Sequence, residues 1–266
     1  MNTSLVKYIL HLGDTTLILA QQNSKWCGHG PVLEQDIALT NISLDLLGQA
    51  RNFYQYAAEL MNENEKSTKD FIQSLGMQTD EKITEDILAY HRKERFFFNL
   101  LLTEQPNGDW GQTILRQFLY SRFQYYLYEK LQEHPDTQIA AIAAKSIKET
   151  TYHLRWSSEW VIRLGDGTAE SHERMQNAID NLWPYTGEMF LPADFEADVK
   201  IDFSGLKNKW LDAVTSIVKQ ATLSLPENEN KVYMHTGGKE GRHTEHLGYI
   251  LTELQYMQMA FPGANW

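Results

Sequence analysis

Cysteine is almost missing from this chain. The one present, Cys27, can form no internal disulfide and no cysteine-rich zinc or iron–sulfur site. Proline is scarce, with seven in 266 residues, and no stretch is of low complexity, so nothing marks a disordered segment. Positive charge is in deficit: 24 Lys and Arg stand against 35 Asp and Glu, a formal net charge of -11. A field of that sign argues against nucleic acid or an anionic membrane as partner. Long apolar runs are missing too. The opening segment "MNTSLVKYILHLGDTTLILAQQ" is broken by Lys7, His11 and Asp14 and lacks the plan of a signal peptide, so a cytoplasmic protein without a membrane span is expected. There is no strand-like run and no repeat of solenoid length.

Apolar and aromatic residues are plentiful, at 42% hydrophobic with seven Trp, thirteen Tyr and eleven Phe, enough for a large core. Their spacing is helical. Leu5, Ile9, Leu12, Thr16 and Leu19 step by three or four and predict a helix near 4–22. "NSKWCGHGP" reads as a loop, with Pro31 placed at the start of a second helix over 32–62. Residues 63–80 read as a polar connection. "ITEDILAYHRKERFFFNLLLTE" predicts a third helix, "WGQTILRQFLYSRFQYYLYEKLQ" a fourth, and the stretch from Ala140 to Gly165 a fifth. Further helices are expected over 170–189 (kinked or ended by Pro184), 204–223 and 242–260, with a loop over 191–203. The architecture predicted is an all-α bundle.

The second helix looks apolar in most directions, through Ile37, Leu39, Ile42, Leu44, Leu46, Leu47, Ala50 and Phe53, and so buried. One polar stripe crosses it: Asn41, Asp45, Gln49 and Asn52. Matching stripes run along the fifth helix (Lys145, Glu149, His153, Trp156) and the fourth (Gln117, Ser121, Gln124, Tyr128). Buried polar groups need partners, so these stripes are expected to meet. Lys145 with Glu149 or Asp45 is one candidate ion pair.

A di-iron bundle carries Glu-x-x-His on paired helices. Here Thr150 stands three residues before His153, and the second helix reads Leu46-Leu47-Gly48-Gln49. The first helix offers Thr15, Thr16 and Leu17 and no Glu. The residues lean against bound iron. They leave open an ordinary helix pair, a degenerate site at Asp45, Leu46, Gln49, Glu149, Thr150 and His153, or an unconventional metal centre that also uses Asp14.

A second candidate lies in "HTGGKEGRHTEHLGYILTELQYMQ". Lys239 and Arg242 in a Gly-rich turn, with His243 and His246 at a helix start, suit an anion or a partner contact. His235, His243 and His246 lack the carboxylate spacing of a metal site. Cys27 beside His29 is weak evidence for a nucleophile, and "LGDGT" over 164–168 reads as a helix end rather than a phosphate loop.

Several segments in order, "LGDTTLILAQQNSKWCGHGPVLEQDIALTNISLDLLGQARNFYQYAAEL", "LLTEQPNGDWGQTILRQF", "IAAKSIKETTYHLRWSSEWVIRLGDGT" and "TGGKEGRHTEHLGYILTELQYMQ", make a chain that resembles the PaaC-type subunit of bacterial phenylacetyl-CoA epoxidase. The resemblance implies a ferritin-like bundle with additional C-terminal helices, one domain over 1–266. It implies no catalytic residue and no cofactor in this chain, with the di-iron centre in a catalytic sister subunit. A flavin and iron–sulfur reductase supplies that partner's electrons from NADPH. A homodimer of the isolated chain fits the same picture. An acyl-CoA-binding bundle and an independent metal-dependent oxygenase stand as alternatives.

Overall fold

A computed structural model describes residues 3–77, 82–197, 202–226, 232–262 and 264. The helices are α1 (Thr3–Ser24), α2 (Leu33–Asn62), α3 (Glu65–Ser74), α4 (Glu85–Tyr90), α5 (Leu101–Glu104), α6 (Trp110–Leu131), α7 (Thr137–Gly165), α8 (Ala169–Leu182), α9 (Phe203–Gln220) and α10 (Glu245–Ala260). No strand is found among the described residues. The all-α expectation therefore holds.

Short polar side chains start most of these helices by accepting backbone N–H groups that the first turn leaves unpaired. Asp109 accepts from Gln112 at α6, Asp136 from Gln138 and Ile139 at α7, and Asp202 from Gly205 at α9. Thr168 and Ser171 exchange bonds as a capping box at α8. Asp36 reaches back from the first turn of α2 to accept from Gly28 and Gly30, which fixes the loop after α1.

Two long hairpins form the centre, α1 along α2 and α6 along α7, and they meet where α2 packs on α7. α8 and α9 lie against α6 and α7, while α3 and α4 cover α2. α10 returns to α1, α4 and α5. One hydrophobic cluster runs through all of this, with Ile9, Ile18, Phe53, Phe118 and Phe123 buried within it. Each such side chain contributes roughly 1.5–3 kcal/mol of transfer free energy.

Four expectations change. Residues 65–74 are a helix, capped by Asn64 and pinned by buried Thr68 and Ile72, where a loop was expected; residues 78–81 lie outside the described part. The predicted third helix breaks into α4, a 3-10 turn at Glu94–Phe96, an extended stretch and α5. Tertiary acceptors replace helical ones there: Phe98 N–H goes to Asp14, Leu100 N–H to Thr15 Oγ1 and Leu101 N–H to Glu188. The helix expected over 170–189 ends at Pro184 rather than being kinked there: α8 stops at Leu182, and Pro184 is the middle residue of a 3-10 turn at Trp183–Tyr185. Finally, α2 is not buried all round, since Leu33, Ile37 and Leu44 are 71%, 51% and 59% exposed.

Candidate functional site

The three polar stripes meet between α2, α6 and α7. His153 Nε2 lies 2.9 Å from Asp45 Oδ2. One turn away, Gln49 Nε2 donates to Glu149 Oε2 at 2.9 Å. Gln49 Oε1 accepts from Gln124 Nε2 at 3.0 Å and from the Tyr128 hydroxyl at 3.2 Å. Thr150 donates to the Ser146 carbonyl at 3.0 Å and stands 3.3 Å from Gln124 Oε1. Gln49, Gln124, Thr150, His153 and Leu46 are buried, while the Asp45 carboxylate is partly open at the rim. Burial pushes the Tyr128 phenol well above its usual range, so it remains a hydroxyl that can donate to Gln49.

Steps of four and three bring Asp45 and Gln49 opposite His153 and Glu149, as the spacing predicts. Lys145 takes no part, being exposed, and the acidic groups meet an imidazole and an amide instead. Trp156 also leaves the stripe, donating with Trp160 to Gln35 Oε1 at 2.9 and 2.7 Å.

This donor set does not suit a di-iron centre. Such a centre takes four carboxylates and two imidazoles aimed at a common point. Here the Gln49 amide holds one carboxylate, the imidazole faces the other, and Leu46 and Thr150 offer no anionic oxygen. Among the described residues, no three His, Cys, Asp or Glu are grouped to hold a metal ion.

A second polar network, legible in the sequence only as isolated charges, runs beside α1. Asp14 is wholly buried and accepts from the Arg92 guanidinium, the Tyr54 hydroxyl at 2.6 Å and Phe98 N–H at 2.7 Å. The guanidinium sits 4.2 Å from the Phe97 ring centroid. Asp14 is thus held away from the α2–α7 site by its own partners. The sequence does not single out Arg92. Arg92, Lys93 and Arg95 all stand just before the apolar "FFFNLLL", and nothing in that order marks which of them is buried.

Three more buried carboxylates grip the segment before α10. Glu104 accepts from Thr244 N–H at 2.9 Å and the Thr244 hydroxyl at 2.6 Å, and meets His243 Nδ1 at 2.5 Å. Glu188 accepts Gly237 N–H and Gly238 N–H, each at 2.7 Å, and Leu101 N–H at 2.8 Å. Glu196 pairs with Lys239 Nζ at 2.8 Å. Burial lifts the Glu188 carboxyl above the ordinary range even against those amide donors. For His243, burial disfavours the imidazolium, but the hydrogen bond and charge of Glu104 outweigh it and the pKa is raised.

The four C-terminal candidates therefore do not share one outward face. Lys239 and His243 point inward to carboxylates, whereas Arg242 pairs at the surface with Glu240 and His246 is half-buried. His235 stacks on Tyr185 with ring centroids 4.6 Å apart. Cys27 is exposed, and His29 bonds the Cys27 carbonyl rather than its thiol.

Residues 1–266 match the family described as "Phenylacetic acid catabolic protein" along their whole length. The chain belongs to this family. It is also 45% identical, over 267 residues, to a component of the 1,2-phenylacetyl-CoA epoxidase of Escherichia coli (strain K12). That alignment covers 98% of this chain and 99% of the relative. Family membership accounts for the all-α bundle. No helix among the described residues is long and apolar enough to cross a membrane.

Proposed function

We propose that this chain is a structural, non-catalytic subunit of a phenylacetyl-CoA epoxidase that serves phenylacetate breakdown. Its near full-length similarity to a component of the Escherichia coli epoxidase supports that assignment. The structural role has its main support in one observation: the polar stripes of α2, α6 and α7 pair with one another, through Gln49 with Glu149 and Asp45 with His153 Nε2, so that of the buried atoms of these side chains His153 Nδ1 alone is left without a partner among the described residues. On this reading Asp45, Leu46, Gln49, Glu149, Thr150 and His153 mark a degenerate di-iron position. The whole chain acts as one ferritin-like domain whose partner is an iron-bearing sister subunit. That sister activates oxygen with electrons from a flavin and iron–sulfur reductase. This chain supplies shape, holding the partner's ligand-bearing helices to the sub-ångström tolerance that a metal centre needs.

An acyl-CoA site at the Lys239–Arg242 turn has weaker footing, because the Lys239 ammonium is turned to Glu196 inside the protein. The deciding measurement is iron per chain in the protein purified alone after expression with iron supplied. Iron near zero is expected, with His153→Ala leaving that value and the turnover of the reconstituted complex unchanged. One or two irons per chain, lost on His153→Ala, would make α2–α7 an active centre.

A further inference from the structure

Beside α9 lies an apolar slot of about 130 Å³. Its walls are the rings of Trp183, Phe190 and Trp210, with Leu211 and Met234 also lining it. The rings touch one another, with centroids 5.7 Å apart for Trp183 and Trp210 and 5.2 Å for Phe190 and Trp210. A buried indole N–H ordinarily finds an acceptor. Trp210 does, donating to the Leu119 carbonyl at 3.0 Å. Trp183 does not: it is 3% exposed and its Nε1 has no hydrogen-bond partner among the described residues.

Among the described residues that line the slot and its cleft, one charged side chain has no ion-pair partner. Lys207 lines both the slot and an adjoining open cleft of about 490 Å³. Its side chain is exposed and has no carboxylate within ion-pair distance among the described residues. Lys207, Trp210 and Leu211 are three and four apart on α9, so they share the face that looks into the slot. The cleft's carboxylate, Glu196, is already held by Lys239 and by Ala193 N–H at 2.7 Å. Among the described lining residues, a cation is therefore available to a ligand and an anion is not.

We propose that this slot binds a one-ring aromatic carboxylate, with the ring among Trp183, Phe190 and Trp210 and the carboxylate at Lys207. An apolar protein cavity of roughly 150 Å³ takes up benzene, so one ring is the size that fits. The Trp183 ring supplies one aromatic wall for that ring. This inference does not depend on the role proposed above, since none of the slot's residues belongs to the α2–α7 site.

The test is titration calorimetry on the whole chain with phenylacetate, toluene and benzylamine as probes. Phenylacetate is expected to saturate at one per chain, and benzylamine to bind more weakly than either of the others. Lys207→Met keeps the aliphatic stem and is expected to weaken phenylacetate roughly three- to fivefold, the scale of an exposed charge pair, and to leave toluene unchanged. Trp183→Ala removes one aromatic wall and is expected to weaken phenylacetate and toluene alike. Should that variant fail to fold, Leu211→Phe fills the slot and abolishes saturation by phenylacetate and toluene alike. Absence of saturation by phenylacetate overturns the proposal. So does benzylamine binding as tightly as phenylacetate, or binding that neither Lys207→Met nor Leu211→Phe alters.

Discussion

Asp14 and Arg92 show how much a single side chain can redirect. Their pair is 0% and 1% exposed, with Tyr54 and three backbone groups (Leu88 and Phe96 C=O, Phe98 N–H) completing the shell. Removing one member leaves the other charge buried and alone, which costs about 3–5 kcal/mol. Asp14→Asn should lower the urea midpoint accordingly without changing the slope, and Asp14→Leu with Arg92→Leu should lose less than the two single changes combined. The histidines make opposite contributions with pH. His243 has a raised pKa, so its stabilisation is full below about 6.5, the unfolded value, and fades as pH rises through the folded one. His11 is lowered, by burial and then by Lys239, so its contribution is full above that value and is lost on acidification. Melting temperatures at pH 6 and 8 should separate them: His243→Gln makes acidification less favourable than in the parent protein, and His11→Gln makes it more favourable. The α2–α7 pairs could be read in the sequence because steps of three and four put their members on one face. Arg92, Glu104, Glu188 and Glu196 could not, since each finds its partner across an irregular segment that no periodicity describes.

Elements tell a similar story. The long helices follow their apolar period and their caps closely, because both signals are local. α4 and α5 do not, because "FFFNLLL" carries a helical pattern while the acceptors for its amides sit on α1 and on the turn at Glu188. Periodicity also overstated the burial of α2, where Leu33, Ile37 and Leu44 form an outer apolar strip. At the end of α7 the backbone of another element leaves no room for a side chain. A Cβ on Gly165 would overlap the Ala221 carbonyl oxygen and lie 2.8 Å from the Ala221 methyl, at the end of α9. Both obstacles are rigid, so Gly165→Ala should destabilise by roughly 1–3 kcal/mol, seen as a lower midpoint in chemical denaturation. Gly48→Ala, on the open side of α2 with nothing near, should stabilise slightly or be neutral.

For the molecule as a whole, the role proposed for this chain assigns a use to that outer strip. A bundle that steadies a sister bundle must cover apolar surface with it, and the strip on α2 lies on the same helix as the pseudo-site stripe. Replacing Ile37 and Leu44 together by Glu should leave the far-ultraviolet circular dichroism and melting of the isolated chain within error. Co-purification with the iron-bearing partner should drop about tenfold or more, the change that follows from losing roughly 1.4 kcal/mol of binding free energy. Retention of full co-purification would move the interface elsewhere, with the exposed Tyr249, Tyr256 and Met259 of α10 next to be changed.

The grip of Glu104, Glu188 and Glu196 on the segment before α10 also sets a schedule for biosynthesis. The carboxylates precede their partners Gly237, Gly238, Lys239 and His243 by 43 residues or more. At a translation rate of about 5–20 residues per second, that gap lasts seconds. A nascent chain that has already assembled its central hairpins must therefore leave Glu104, Glu188 and Glu196 without these partners until residues 237–243 have been made. A chain ending just before residue 237 would keep most of the apolar residues but leave Glu188 with Leu101 N–H and Glu196 with Ala193 N–H in place of their full sets of partners, and it is expected to be degraded faster than the full-length chain.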